Sequence, residues 1–236
     1  MKAIILAAGV GKRLREISRG MPKSMLQIGS SSIMHHQIRS CQQAGIENFV
    51  FVLGYKKELL QDHILEILAP GNTTFITNPV YDKTNTLYSL WLARQHFTEE
   101  FIYFNSDVIF QTELLMKIVP QSEFSQLLIE DKICGKEEVK VIVSDDMRIL
   151  EIGKELDISR CIGEFIGIGK FNQQVLNRFS EHLQTGVDTG HQNNYFEYAV
   201  NLLAGDFHLQ AVFTGDLPCI EIDFPEDLLQ ARKLFS

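Results

Sequence analysis

Residues 3–14 read AIILAAGVGKRL. The apolar run from Ala3 to Ala8 stops at Gly9, passes a second glycine at Gly11 and turns basic at Lys12 and Arg13. A short, uniformly apolar run that ends in glycine is the pattern of a strand buried on both faces, as in a parallel sheet. Glycines placed directly after such a strand let consecutive backbone N–H groups meet an anion at the carboxyl edge of the sheet, where a flat base can also approach without Cβ interference. Two phosphate-binding patterns are excluded. A dinucleotide fingerprint needs a third glycine where Leu14 stands, and a P-loop needs Ser or Thr where Arg13 follows Lys12.

Outward from this stretch, strand and helix patterns take turns. Helical spacing covers Ile33 to Ala44, a β-rich run covers Asn48 to Leu53, and helical spacing returns from Lys57 to Leu68. Thr73 to Thr77 reads as a strand, Thr86 to Gln95 as a helix and Phe101 to Asn105 as another buried strand. This alternation predicts an α/β fold: a Rossmann-like three-layer domain with a mostly parallel mixed sheet. After Val108 the pattern loosens into shorter strands, so a small β-rich lid is expected over about residues 125–170 of a single domain spanning 1–236. Strands at Leu209 to Phe213 and Cys219 to Ile222 precede a last helix that opens at Pro225, a residue suited to the first helical position.

Composition narrows the function. With 22 Lys+Arg against 30 Asp+Glu the formal net charge is -8, so no general basic field is available for a nucleic-acid backbone, and any anionic ligand must be held locally. No apolar run is long enough to span a membrane and the first one is too short for a secretion signal, which predicts a cytoplasmic protein. Cys41, Cys134, Cys161 and Cys219 are scattered without metal-binding or redox spacing and read as plain thiols.

Two acids follow buried strands. Asp107 comes after FIYFN through Ser106, and Asp223 comes after CIEI; both then sit at carboxyl ends of strands, where ligands of α/β sheets gather. On the residues alone, each also reads as a helix or turn cap. Glu221, two residues before Asp223, shares its strand face. Lys23 follows Pro22, whose fixed dihedral stiffens the approach of that lysine to the glycine turn.

The segments LAAGVGKRL and PKSML together resemble the signature of the nucleotidyltransferases that join an NTP to a sugar 1-phosphate or phospho-alcohol, with Ser18 where that pattern usually carries threonine. FNSDVIF and IEIDFPEDL resemble the segments that supply this family's metal-binding aspartates, although Ser106 replaces a common glycine. NPVYDKTNTLYSL, from Asn78 to Leu90, is similar to a segment of the bacterial CTP:phosphocholine cytidylyltransferases. The resemblance implies transfer of CMP from CTP to a small phosphorylated alcohol, phosphocholine first, by a monomer or homodimer with Mg²⁺ held by Asp107 and Asp223. It further implies nucleotide binding by Leu6, Ala7, Ala8, Gly9, Gly11, Thr84, Asn85 and Ser89, and phosphate contacts by Arg13, Lys23 and Lys154, with Lys140 as a weaker candidate of the kind of Lys154. Glu164, Tyr195, Glu197 and Glu221 then face the acceptor, where Tyr195, Phe196 and Tyr198 offer aromatic faces to a quaternary ammonium. Thr84, Asn85 and Ser89 read equally as turn and cap residues. Transfer to a sugar 1-phosphate or an aminoalkylphosphonate is the alternative chemistry, and a non-catalytic nucleotide-binding regulator the alternative class.

Overall fold

The computed structural model describes residues 1–235. Its strands are β1 (Lys2–Ala7), β2 (Gln27–Ile28), β3 (Ser31–Ser32), β4 (Asn48–Leu53), β5 (Thr73–Thr77), β6 (Phe101–Asn105), β7 (Val108–Phe110), β8 (Ser125–Glu130), β9 (Lys140–Val143), β10 (Ile149–Gly153), β11 (Gly163–Phe171), β12 (Leu209–Phe213) and β13 (Cys219–Glu221). Its α-helices are α1 (Ile33–Gln43), α2 (Lys57–Leu65), α3 (Thr86–Ala93), α4 (Leu115–Ile118), α5 (Leu176–Asp188), α6 (Glu197–Asp206) and α7 (Pro225–Phe235).

The main sheet runs β10-β9-β11-β6-β1-β4-β5, with β8 on β11 and β12 on β8. The run β6-β1-β4-β5 is parallel throughout, the geometry expected from its strand–helix alternation. β11 enters antiparallel to β6 and opens the antiparallel half. Strands within 125–170 therefore extend the same sheet, because β11 pairs with β6, β8 and β9; β9 and β10 pair with each other at the sheet's end.

Both faces are covered, which explains the uniformly apolar β1. Ile4 and Leu6 pack under α3, α5 and α6 with Leu87, Phe179 and Val200, whereas Ala3, Ile5 and Ala7 pack under α1, α2 and α4 with Met34, Leu60 and Leu115. On the first face Phe97, Phe101, Phe171 and Phe179 form a run of stacked or tilted rings with centroids 4.5 to 5.9 Å apart, a preferred separation for aromatic pairs. A smaller third cluster, including Leu14, Ile28, Ile109, Ile222, Leu228 and Ala231, seats α7 against the β2–β3 hairpin.

Two caps fix helix starts near the cavity described below. The Asn85 side chain accepts from Thr86 N at the entrance of α3 (2.9 Å). At α7 the Asp227 carboxylate reaches back to accept from the backbone N–H of Asp223 and Phe224, while the Asp223 side chain, a cap candidate in the sequence, instead accepts from Arg13 and Lys23. No helix among the described residues is long and apolar enough to cross a membrane.

Phe101, fully buried at the centre of the ring run, is the keystone of the first core. Phe101→Ala is expected to lower unfolding free energy by about 3–5 kcal/mol, read from urea midpoints.

Candidate functional site

The parallel strands end at one edge, and the site is built there. β1 ends at Ala7 and gives way to the glycine turn, with Gly9 exposed and open space around the position of its missing Cβ. Gly11 is left-handed (φ 61°), and a Cβ there would lie 3.0 Å from the Cβ of Lys23. That glycine lets the turn close against the second basic segment.

β6 ends at Asn105 and presents Asp107 one residue beyond Ser106. The chain then forms β7, whose antiparallel partner is β13 in the register Glu221↔Val108 and Cys219↔Phe110. Ile222 N donates to Asp107 O (2.9 Å). This short ladder carries Glu221 and Asp223 to Asp107. Carboxylate oxygens of the three acids lie within 4.8 Å of one another. Gln37 of α1 holds the loop from behind, its buried amide donating to Asn105 O and Val108 O, 2.8 Å each.

Lys23 sits between the two aspartates, its Nζ 2.7 Å from Asp107 Oδ2 and 2.6 Å from Asp223 Oδ1. Burial works against its charge, but Asp107 and Asp223 outweigh burial and raise its pKa above the ordinary lysine value. Burial likewise opposes the charge of Asp223, yet Lys23 and then Arg13 hold its carboxyl below the usual range. Arg13 donates to Asp223 (3.0 Å) and to Glu137 (2.9 Å) and lies over the Phe224 ring. Glu221 goes the other way: burial first, then the charges of Asp107 and Asp223, push its carboxyl well above its ordinary pKa. The buried Asp107 Oδ1 has no hydrogen-bond partner. An all-oxygen donor set with an orphaned carboxylate oxygen fits a hard divalent cation such as Mg²⁺.

One cavity of about 850 Å³ opens onto these acids, and every residue assigned above to the nucleotide, acceptor, metal or phosphates lines it except Lys140 and Tyr198. Leu6, Ala7 and Ala8 contribute its wall beside the glycines. Thr84 and Ser89 face it while binding Asn78, whose amide donates to both hydroxyls (3.1 Å each), and Thr84 also donates to Val80 O (2.9 Å). Thr84 and Ser89 are thus tied to Asn78 and the Asn85 Oδ1 to Thr86 N, and all three side chains also line the cavity.

Glu164, Glu197, Tyr195 and Lys154 line the same cavity, near enough to the acids that Lys154 helps to lower the Asp223 pKa and Glu164 to raise that of Glu221. Lys132 Nζ lies 2.5 Å from Glu164 and 3.5 Å from Glu130. Burial raises the Glu164 pKa, an effect that Lys132 partly offsets. Glu197 is nearly inaccessible, one of its oxygens is unpartnered, and burial pushes its pKa up to about 7.

The aromatic cage expected from Tyr195, Phe196 and Tyr198 is not assembled. Phe196 stacks in the core on Tyr103 (4.2 Å), Tyr198 stacks on His191 (4.5 Å), and the Tyr195 ring carries the Lys154 ammonium 5.2 Å from its centroid. Lys140 is also displaced from its expected place: it is buried at 1% exposure and its Nζ donates to three backbone carbonyls. Lys132, Glu137 and Gln37 escape sequence reading because a lone charged or amide residue in an irregular segment or helix has no spacing to mark it.

A family model described as nucleotidyl transferase matches residues 2–133, and the chain belongs to that family. Over 97% of its length and 98% of the relative's, it is 24% identical to a CTP:phosphoglutamine cytidylyltransferase of Campylobacter jejuni. It is 28% identical to a choline-phosphate cytidylyltransferase of Streptococcus pneumoniae over 64% of this chain and 63% of that one. Among solved structures, the CTP:phosphocholine cytidylyltransferase from Streptococcus pneumoniae superposes with a TM-score of 0.81 at 19% identity, covering 100% of this chain and 99% of the other.

Glu197 generates a pH test. Its carboxyl titrates near 4.5 when unfolded and at about 7 when folded, so the folded state binds the extra proton in between. Stability therefore falls as pH rises from about 4.5 to about 7, by on the order of 3 kcal/mol, and then levels off. Glu197→Gln carries no such loss. The variant's urea midpoint should overtake the parent's between about pH 5 and about pH 8, and parallel midpoints refute the buried carboxyl.

Proposed function

We propose that this chain is a cytidylyltransferase that moves CMP from CTP to a small phosphorylated alcohol, phosphocholine being the first acceptor to test, with release of pyrophosphate. The observation that carries the reading is the meeting of Asp107, Asp223 and Lys23 within 2.7 Å contacts beside the glycine turn. The relatives named above, both cytidylyltransferases with phosphorylated acceptors, support the choice of nucleotide and of acceptor class.

In this reading the backbone around Gly9 and Gly11 cradles the triphosphate, and Arg13 and Lys23 exchange carboxylate partners for phosphate oxygens. Lys154, which lines the same cavity, orients the acceptor phosphate. An oxygen of that phosphate attacks the α-phosphorus of CTP, the bond from the α-phosphorus to the bridging oxygen breaks, and pyrophosphate leaves with the electron pair. The phosphate is already ionised at neutral pH, so no side chain has to remove a proton. Asp107 and Asp223, with Glu221 beside them, would hold Mg²⁺, which supplies neutralisation of the phosphate oxygens when bound. Glu164 and Glu197 suit an acceptor with a cationic or proton-donating end, since the aromatic faces are turned to other partners.

Pyrophosphate release is to be screened with each NTP against phosphocholine, aminoethylphosphonate and sugar 1-phosphates. The expected outcome is CTP-dependent release with phosphocholine, abolished by chelation of divalent cations and lowered at least about 100-fold in kcat/KM by Asp107→Asn or Asp223→Asn. Turnover with a sugar 1-phosphate alone removes the acceptor assignment. Nucleotide binding without any turnover, unchanged by Asp107→Asn, replaces the enzyme with a nucleotide-binding regulator.

A further inference from the structure

Lys140 opens β9, opposite Gly153 on β10 and Glu164 on β11. Its side chain is buried, and the ammonium donates to the carbonyls of Lys136 (3.4 Å), Glu138 (3.2 Å) and Lys154. No carboxylate among the described residues lies within ion-pair distance of it. Burying an ammonium costs several kcal/mol, and three carbonyl acceptors match its three protons without a counterion. An apolar residue would fill the same space at less cost. What the ammonium adds is a single point joining the segment 131–139 to the turn after β10.

Those two segments carry several of the charged groups that line the cavity. The first presents Lys132, Glu137 and Glu138 to the cavity, and the second presents Lys154. Lys132 holds Glu164 and Glu137 holds Arg13, while the Glu138 carboxylate folds back on Gly135 N (2.9 Å). Apolar anchoring of the segment is confined to buried Cys134 and to Val139 at its end, which packs on the first core and accepts from Phe165 N (2.8 Å), while Ile133 is 94% exposed. Between these anchors the placement of 132–138 over the cavity rests on polar ties, and Lys140 supplies a fully buried one that reaches both the Lys136 and Glu138 carbonyls.

We propose that Lys140 is a positioning residue: by clamping the Lys136, Glu138 and Lys154 carbonyls it sets where the 131–139 segment and Lys154 stand, and so determines acceptor binding without touching the acceptor. The kinetic part rests on the transferase reading above.

Lys140→Met keeps the length of the side chain and removes its donors. Amide hydrogen exchange, which needs no substrate, should quicken about tenfold or more in 131–139 and 153–157 while β6 is unchanged. Unchanged exchange in both segments, or a uniform rise along the chain, overturns the clamp. In the active enzyme the variant should raise the acceptor KM about tenfold with the CTP KM within about twofold. In a Lys154→Ala background that rise should largely vanish, since the two residues act in series. Equal changes in both KM values, or full additivity with Lys154→Ala, overturn the role in acceptor binding. If the unsubstituted chain turns over no acceptor, the transferase reading fails, and hydrogen exchange alone decides the clamp.

Discussion

The site depends on a ladder of three residue pairs. β7 and β13 exchange their backbone hydrogen bonds in a register that puts Glu221 opposite Val108, and everything chemical follows from that register. Side chains alternate along a strand, so a slip of one residue would turn the acids of the last strand segment away from Asp107. Ile222 N to Asp107 O and the Gln37 amide behind the loop lock the same alignment from two further sides. The acids are thus placed by main-chain geometry, and their side chains need only reach a few ångströms.

Packing three carboxylates together is electrostatically costly, and the fold answers with one internal cation. The Lys23 ammonium takes an oxygen from each aspartate, and Arg13 takes a second oxygen of Asp223. Glu221 receives no such partner, and its pKa rises accordingly. Burial first, then the neighbouring charges of Asp107 and Asp223, set that rise, and it lessens the crowding of negative charge in the cluster. The same reasoning separates two further acids of the cavity, where Glu164 has Lys132 and Glu197 stands with one oxygen unpaired.

Much of this was legible in the sequence because it rests on local patterns. β4, β5, β6 and β12 fall on their predicted residues, since apolar runs bounded by turn residues need no tertiary information. The glycine turn was readable because glycines directly after a buried strand leave backbone N–H groups open at the sheet edge, whereas Lys23 was placed beside it through the resemblance carried by PKSML. β7 was not legible, as three residues are too few to show a period, yet it aligns the acids. The incorporation of residues 125–170 into the main sheet depends on β11 pairing with β6, a long-range choice that alternation alone does not encode. The aromatic residues of 195–198 failed for another reason: composition gives ring faces, and only packing decides whether they meet a ligand, a core ring or a lysine.

Lys23 and Asp223 lie 200 residues apart in the chain, and the helix behind Asp223 rests on the smallest of the three apolar clusters. Local opening free energy scales with the apolar contacts that must be given up, so the corner carrying α7 can detach while the two large cores stay closed. Heat or mild denaturant would then inactivate the molecule ahead of melting it. The durability of the site is set by a handful of residues around Leu228 and Ala231, far fewer than hold the sheet together.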